Sequence, residues 1–146
     1  MMYLIGFKKN LSDKILIFYN IIVMTPPSKI NLNKTKTVLT VTFDDMDYEL
    51  TSEFLRVYSP SAEVVGHGPG QETLQVGKEG VTIVNIQPTG NYAIVLFFSD
   101  GHDTGIYSWS HLHNLATNFD KLWNDYLQKL KDAGHSHSKL IKSKLQ

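Results

Sequence analysis

Residues 90–109 read GNYAIVLFFSDGHDTGIYSW, and their pattern decides the fold class. In an extended chain Tyr92, Ile94, Leu96 and Phe98 point one way, and Ala93, Val95 and Phe97 point the other. Both faces are apolar, so the segment is expected as a central strand covered on both sides. Ser99-Asp100-Gly101-His102 breaks the run. Asp-Gly between apolar segments is a hairpin signal, because glycine tolerates positive φ and aspartate bonds its own backbone. Ile106–Trp109 resumes as a second, antiparallel strand. His102 then falls at the hairpin tip between Asp100 and Asp103.

Working outward, Val38–Phe43 alternates, with Leu39, Val41 and Phe43 expected inward and Thr40 and Thr42 outward. Asp44–Asp47 is a turn and Tyr48–Leu50 the returning strand. Thr51–Glu53 starts a short helical turn, and Ser61 can cap another with Glu63 in its first turn. Gly66-His67-Gly68-Pro69-Gly70 is a loop; it lacks the Gly-Lys-Ser/Thr ending of a phosphate cradle. Val81–Ile86 is a strand ended by Pro88 and Gly90. Ser108 or Ser110 can cap a short helix with Leu112 and Leu115. Phe119, Leu122, Trp123, Tyr126, Leu127 and Leu130 recur at helical spacing, Thr117 with Asp120 resembles a capping box, and Gly134 can end the helix. The expectation is an α+β fold: a small antiparallel sheet packed against a C-terminal amphipathic helix, with short helices after the first hairpin.

The domain is read as residues 37–133. Residues 134–146 are polar and basic and are read as a disordered tail. Residues 1–36 are read as an extension followed by a polar linker, Thr25–Lys36. For Met1–Val23 three readings are open: a mis-assigned start, with Met24 the true first residue; an amphipathic helix bearing Leu4, Phe7, Leu11, Ile15, Phe18 and Ile22; and a signal peptide, which lacks a small-residue cleavage site.

Composition bounds function. The 146 residues carry 14 basic and 14 acidic side chains, so no charge excess points to nucleic acid or an anionic membrane. There is no cysteine. Disulfides, thiolate metal sites and cysteine catalysis are therefore excluded, and the composition fits the cytoplasm. No apolar run reaches the roughly 18 residues of a membrane span.

GNYAI, DGHDTGIYSW and the upstream LRVYSPSAEVVGH resemble the domain of unknown function 971 family, also called the gamma-butyrobetaine-hydroxylase-like N-terminal domain. The resemblance runs from about Val38 to about Leu130. It implies a domain found at the front of 2-oxoglutarate- and iron-dependent hydroxylases and fused to P-loop ATPases of iron–sulfur cluster assembly. It also implies a zinc site of three cysteines and a histidine. His102 falls on the histidine position, and Ser59, Ser61 and Val64 fall on the cysteine positions, so the inherited site is expected to be lost. Two readings of the remaining residues follow. One is a protein-interaction module, with iron–sulfur assembly as the implied context and an exposed surface around Arg56, His67, His102 and Tyr107. The other brings His67 and His102 to one cleft with Asp100 or Asp103, a weak zinc or iron site. A hydrogen-bonded structural histidine or a polar hairpin tip is the plainer account of His102. No catalytic constellation is apparent. His111 and His113 do not share a helix face, His135 and His137 lie in the tail, and Tyr107, Trp109, Trp123 and Tyr126 are read as core in preference to a ligand cage.

Overall fold

The computed structural model describes residues 25–140; the readings made of Met1–Val23 fall outside them. The element order is β1 (Lys29–Leu32), β2 (Val38–Phe43), β3 (Met46–Thr51), α1 (Ser52–Val57), α2 (Ala62–Val65), β4 (Ile83–Thr89), β5 (Ala93–Phe98), β6 (Ile106–Ser108), α3 (Trp109–Thr117) and α4 (Phe119–Asp132). The strands form two antiparallel three-stranded sheets, β1-β2-β3 and β4-β5-β6. The class is α+β as expected, with the strands divided between two sheets.

The alternation in β2 sets the first core layer. Leu39 and Val41 are fully buried, with Leu50 of β3 opposite Leu39. Thr42 departs from its expected outward place. It is buried, and its hydroxyl donates to Asp47 Oδ1 at 2.6 Å. The hairpin turn shrinks to Asp44 and Asp45, at φ of 49° and 61°, while Met46 and Asp47 already belong to β3. Two positive-φ residues between antiparallel strands form a turn whose twist matches the flanking strands.

β5 is the middle strand of its sheet, as its two apolar faces require. Ile94, Leu96 and Phe98 enter the main core beside Phe54, Leu55, Tyr107, Leu112 and Leu115. Its other face is half-covered at Val95 and Phe97. β4 runs to Thr89, with Pro88 inside it opposite Ile94 instead of ending it. Proline is tolerated there because β4 is an edge strand. The sheets are joined by a backbone bond from Ile83 N–H to Lys36 O and by the Ser52 hydroxyl donating to Val81 O at 2.6 Å.

The helices start where hydroxyls cap them. Thr51 Oγ1 accepts from Phe54 N–H, Ser61 Oγ from Glu63 N–H, and Ser108 Oγ from His111 N–H. The capping box expected at Thr117 and Asp120 does not form. Thr117 donates back to His113 O, and α4 begins at Asn118 without a side-chain cap. Its other end closes as Gly134 allows, with Gly134 N–H to Lys131 O and His135 N–H to Leu130 O, a Schellman motif. Phe119, Leu122 and Trp123 pack onto the main core, and Tyr126 and Leu130 form a second cluster with Val57.

Two polar stretches are more ordered than composition suggests. Lys29–Leu32, within the expected linker, pairs with β2. In the expected tail, His137 is buried, with Nε2 at 2.8 Å from Glu53 Oε2, and Ser138 bonds Glu79. Positive φ strains an aspartate by about 1 kcal/mol. The change Asp44→Asn with Asp45→Gly is therefore expected to raise stability by about 1 kcal/mol in urea unfolding; an unchanged or lowered midpoint would contradict the turn geometry.

Candidate functional site

α1 ends at Tyr58, and the chain turns through Ser59-Pro60-Ser61 into α2. This segment lies against the loop joining β5 to β6. The contact is close because of Gly105, where a Cβ would collide with Ser59 Oγ. Ser59 is fully buried, and its Oγ sits 2.8 Å from His102 Nε2. His102 Nδ1 lies 3.1 Å from Glu63 Oε2. The carboxylate can only accept, so Nδ1 carries the proton and Nε2 accepts from the serine hydroxyl. Ser61 N–H reaches Ser59 Oγ at 3.3 Å, and Ser61 Oγ pairs with Thr104 Oγ1 at 2.7 Å. Val64 is buried beside them. Ser59 and Ser61 thus meet the His102–Thr104 stretch, and Val64 follows them on α2.

A second cluster fixes the loop. Asp100 Oδ2 accepts from Arg56 Nε at 2.9 Å and Lys78 Nζ at 2.7 Å, while Oδ1 accepts from His102 N–H. Arg56 Nη1 also donates to Gln75 Oε1 at 3.0 Å. Burial alone would raise the Asp100 pKa; the bonds from Lys78, the His102 amide and Arg56 outweigh it and bring the carboxyl to about 2. Burial pushes His102 below the usual imidazole value and Arg56 adds to that, against the opposing pull of Glu63. Burial also lowers His111, whose Nε2 donates to Tyr58 O at 3.0 Å.

Hydroxyl, imidazole and carboxylate in this order are the parts of a nucleophilic relay. Here the relay is closed. Ser59 has no exposed surface, and its Oγ is engaged by His102 and the Ser61 amide against Gly105, so the hydroxyl serves as a structural partner in this arrangement. Nor do the residues fit zinc bound by three thiolates and a histidine. The two hydroxyls are engaged with His102, Thr104 and backbone amides, and Val64 has no donor atom.

The expected site residues separate. Arg56 (7% exposed), His102 (6%) and Tyr107 (0%) are buried, so no exposed surface joins them. Tyr107 donates to Leu55 O at 2.6 Å as a core residue. His67 lies on the exposed Gly66–Gly70 loop. No hydrogen bond, ion pair or ring contact links it to His102, whose partners are Ser59, Glu63, Asp100 and the Phe98 ring. Among the described residues no group of three or more histidine or acidic side chains is placed to hold a metal. Glu63, absent from the sequence-based site, is the residue that orients His102; only its helix-cap position was readable, since its partner lies 39 residues away.

Beside this network is a depression of about 330 Å³ that sequence reading did not find. Val57, Tyr58, Val64, Val65, Leu74 and Tyr126 give it apolar walls, and Glu72, His111 and Lys129 add polar groups. Val65 is 45% exposed.

Two outcomes are expected. An imidazole held below its unfolded value near 6.5 stays neutral in the fold, so the unfolded chain binds the extra proton and stability falls as pH drops below about 6.5. Thermal melts from pH 7.5 to 5 should show that decline, and His102→Gln should flatten it; an equal slope would contradict the burial of a neutral imidazole. Asp100 has the same sign lower down, its contribution being lost as pH falls from 3.8 towards about 2. Secondly, the triple change Ser59→Cys, Ser61→Cys, Val64→Cys should take up stoichiometric zinc through a Cys3His set, whereas the natural chain should hold substoichiometric metal by elemental analysis. Equal metal in both would contradict the shared placement of the four positions.

Among the described residues no helix is long and apolar enough to cross a membrane. No curated protein matches the chain. Two proteins with NMR solution structures are similar to it. One is 50% identical, with a TM-score of 0.69, covering 77% of this chain and 90% of its own. The other is 45% identical, with a TM-score of 0.65, covering 77% and 84%. A crystal structure of a protein with unknown function from Acidithiobacillus ferrooxidans, of the DUF971 family, is 38% identical, with a TM-score of 0.52, covering 64% of this chain and 96% of its own. The family model described as gamma-butyrobetaine hydroxylase-like, N-terminal, matches residues 30–113, from β1 into α3, and the chain belongs to that family.

Proposed function

We propose that this chain is a non-catalytic protein-interaction module of the cytoplasm, and that its binding face is the depression between α1, α2, α4 and residues 72–75. The observation that carries this reading is the apolar wall of Val57, Tyr58, Val64, Val65, Leu74 and Tyr126 around an open volume of about 330 Å³. A concave apolar site with a few polar groups is the ordinary form of a binding site. The wall suits an apolar peptide segment, with Glu72 and Lys129 available to charged neighbours in that segment. The reactive groups beside it are engaged with one another, which supports recognition over chemistry.

The family resemblance supplies the partner class: a P-loop ATPase of iron–sulfur cluster assembly, with this domain acting as a separate chain. The alternative partner is a 2-oxoglutarate/iron hydroxylase. Titration calorimetry of the full chain against the purified ATPase of the same organism tests the reading. Binding is expected, and Val65→Asp should weaken it at least about tenfold, since a carboxylate would be desolvated in an apolar contact. The side chain is well exposed, so the variant keeps its fold, verifiable by its unchanged melting temperature. No binding, or equal binding by the variant, would defeat the proposal; binding to the hydroxylase alone would transfer the partner assignment.

A further inference from the structure

We propose that residues 71–76 are an unpaired strand, and that an extended peptide segment fills the apolar depression by adding to it through main-chain hydrogen bonds at Glu72, Leu74 and Val76. This rests on the depression as the binding face and names how its occupant is held. The segment Gln-Glu-Thr-Leu-Gln-Val runs past the depression without helix, turn or bend. In an extended chain the N–H and C=O of one residue point to the same side, and successive residues alternate sides. One side of this segment is satisfied by the fold. Thr73 N–H donates to Val64 O at 2.9 Å, Gln75 Nε2 donates to Thr73 O at 2.9 Å, and Tyr126 Oη donates to Gln75 O at 2.8 Å. The backbone groups of the other side, carried by Glu72, Leu74 and Val76, have no hydrogen-bond partner among the described residues.

The row is in place before any ligand arrives. Gln71 N–H bonds Gly68 O, the Gln71 carboxamide accepts from His67 N–H, and Arg56 Nη1 donates to Gln75 Oε1. Binding therefore has little ordering of this segment left to do. Leu74 packs on the cluster of Val57, Tyr126 and Leu130, so the row lies along the apolar wall. Free rows of this kind invite pairing unless they are blunted, commonly by proline or lysine. β4 carries Pro88 at its border, whereas residues 71–76 hold neither proline nor lysine. Charge defines the occupant further. Glu72 and Lys129 line the same depression, and neither side chain has an ion pair among the described residues. A complementary segment brings a cation for Glu72 and an anion for Lys129, with apolar side chains at alternate positions between them.

The probe is a synthetic peptide, acetyl-Lys-Val-Thr-Val-Thr-Val-Glu-amide, added to the isotope-labelled full chain at up to about 5 mM. The Val65 methyl signals are expected to shift. Amide hydrogen exchange at Leu74 and Val76 should slow at least about tenfold, while Thr73, already bonded to Val64, changes little. Val76→Pro removes one donor of the row at an exposed side chain, and an extended chain accommodates proline. That variant should keep its melting temperature and bind the peptide about fivefold more weakly. Absence of binding, Val65 shifts without slowed exchange at Leu74 and Val76, or equal affinity of the Val76→Pro chain overturns the proposal. None of these readings uses the ATPase. Slowed amides with an ATPase that does not bind would remove only the partner assignment, and unchanged amides with an ATPase that binds would remove only the strand addition.

Discussion

The contact of Ser59 with His102 across Gly105 joins two parts of the chain that neither sheet connects. The turn after α1 and the loop between β5 and β6 are far apart in sequence, the serine and the histidine standing 43 positions apart. Joining them needs a buried donor and acceptor of matched polarity, because an unpaired hydroxyl or imidazole in that place would cost on the order of 1–3 kcal/mol. The tautomer follows from the far side. Glu63 fixes the proton on Nδ1, and Nε2 is thereby left to accept from Ser59. A neutral hydrogen-bonded chain thus ties the two segments, and α2 takes its place from it.

The Arg56–Asp100–Lys78 cluster gives the loop its second attachment. A buried guanidinium is costly to desolvate, and such pairs contribute little net stability even where removing one partner is severe. Its value here is geometric. Arg56 comes from α1, Gln75 from the segment bordering the depression, and Asp100 from the loop tip. One planar group therefore sets the spacing among three separate stretches, and Lys78 brings a second cation to the same carboxylate oxygen.

The parts of the fold readable from sequence are those with strong periodicity. β2, β5 and α4 bury apolar residues at regular intervals, and their sequences state it. β1 was hidden because its four residues, Lys-Ile-Asn-Leu, are half polar and form an edge. His137 was hidden because its burial is decided by Glu53, 84 residues away, and not by any local pattern. Thr117 illustrates competition between equivalent local bonds: its hydroxyl could cap α4 forward or bond the α3 carbonyl behind, and it does the latter. At the site, Ser59 meets His102 and Ser61 meets Thr104, contacts between residues 43 positions apart that no local pattern states. Sequence reading could not place Glu63, or show that His67 stays apart, because both depend on how α2 and the glycine loop settle after the long-range contact is made. The depression is a product of four elements meeting, which no single stretch encodes.

β4 carries a further consequence in its irregularity. The register slips between Ile83 and Asn85, and Pro88 follows three residues later on the same edge. The slip bends and twists the strand, and the proline withholds one amide from the margin. A neighbouring strand that tried to extend this sheet would meet a curved border with a missing donor. At the other margin, β6 offers a run of three residues. The sheet with the exposed Val84 and Ile106 side chains is therefore poorly suited to template growth from one molecule to the next. On this sheet the shape of the border does what charged guard residues do on other edges.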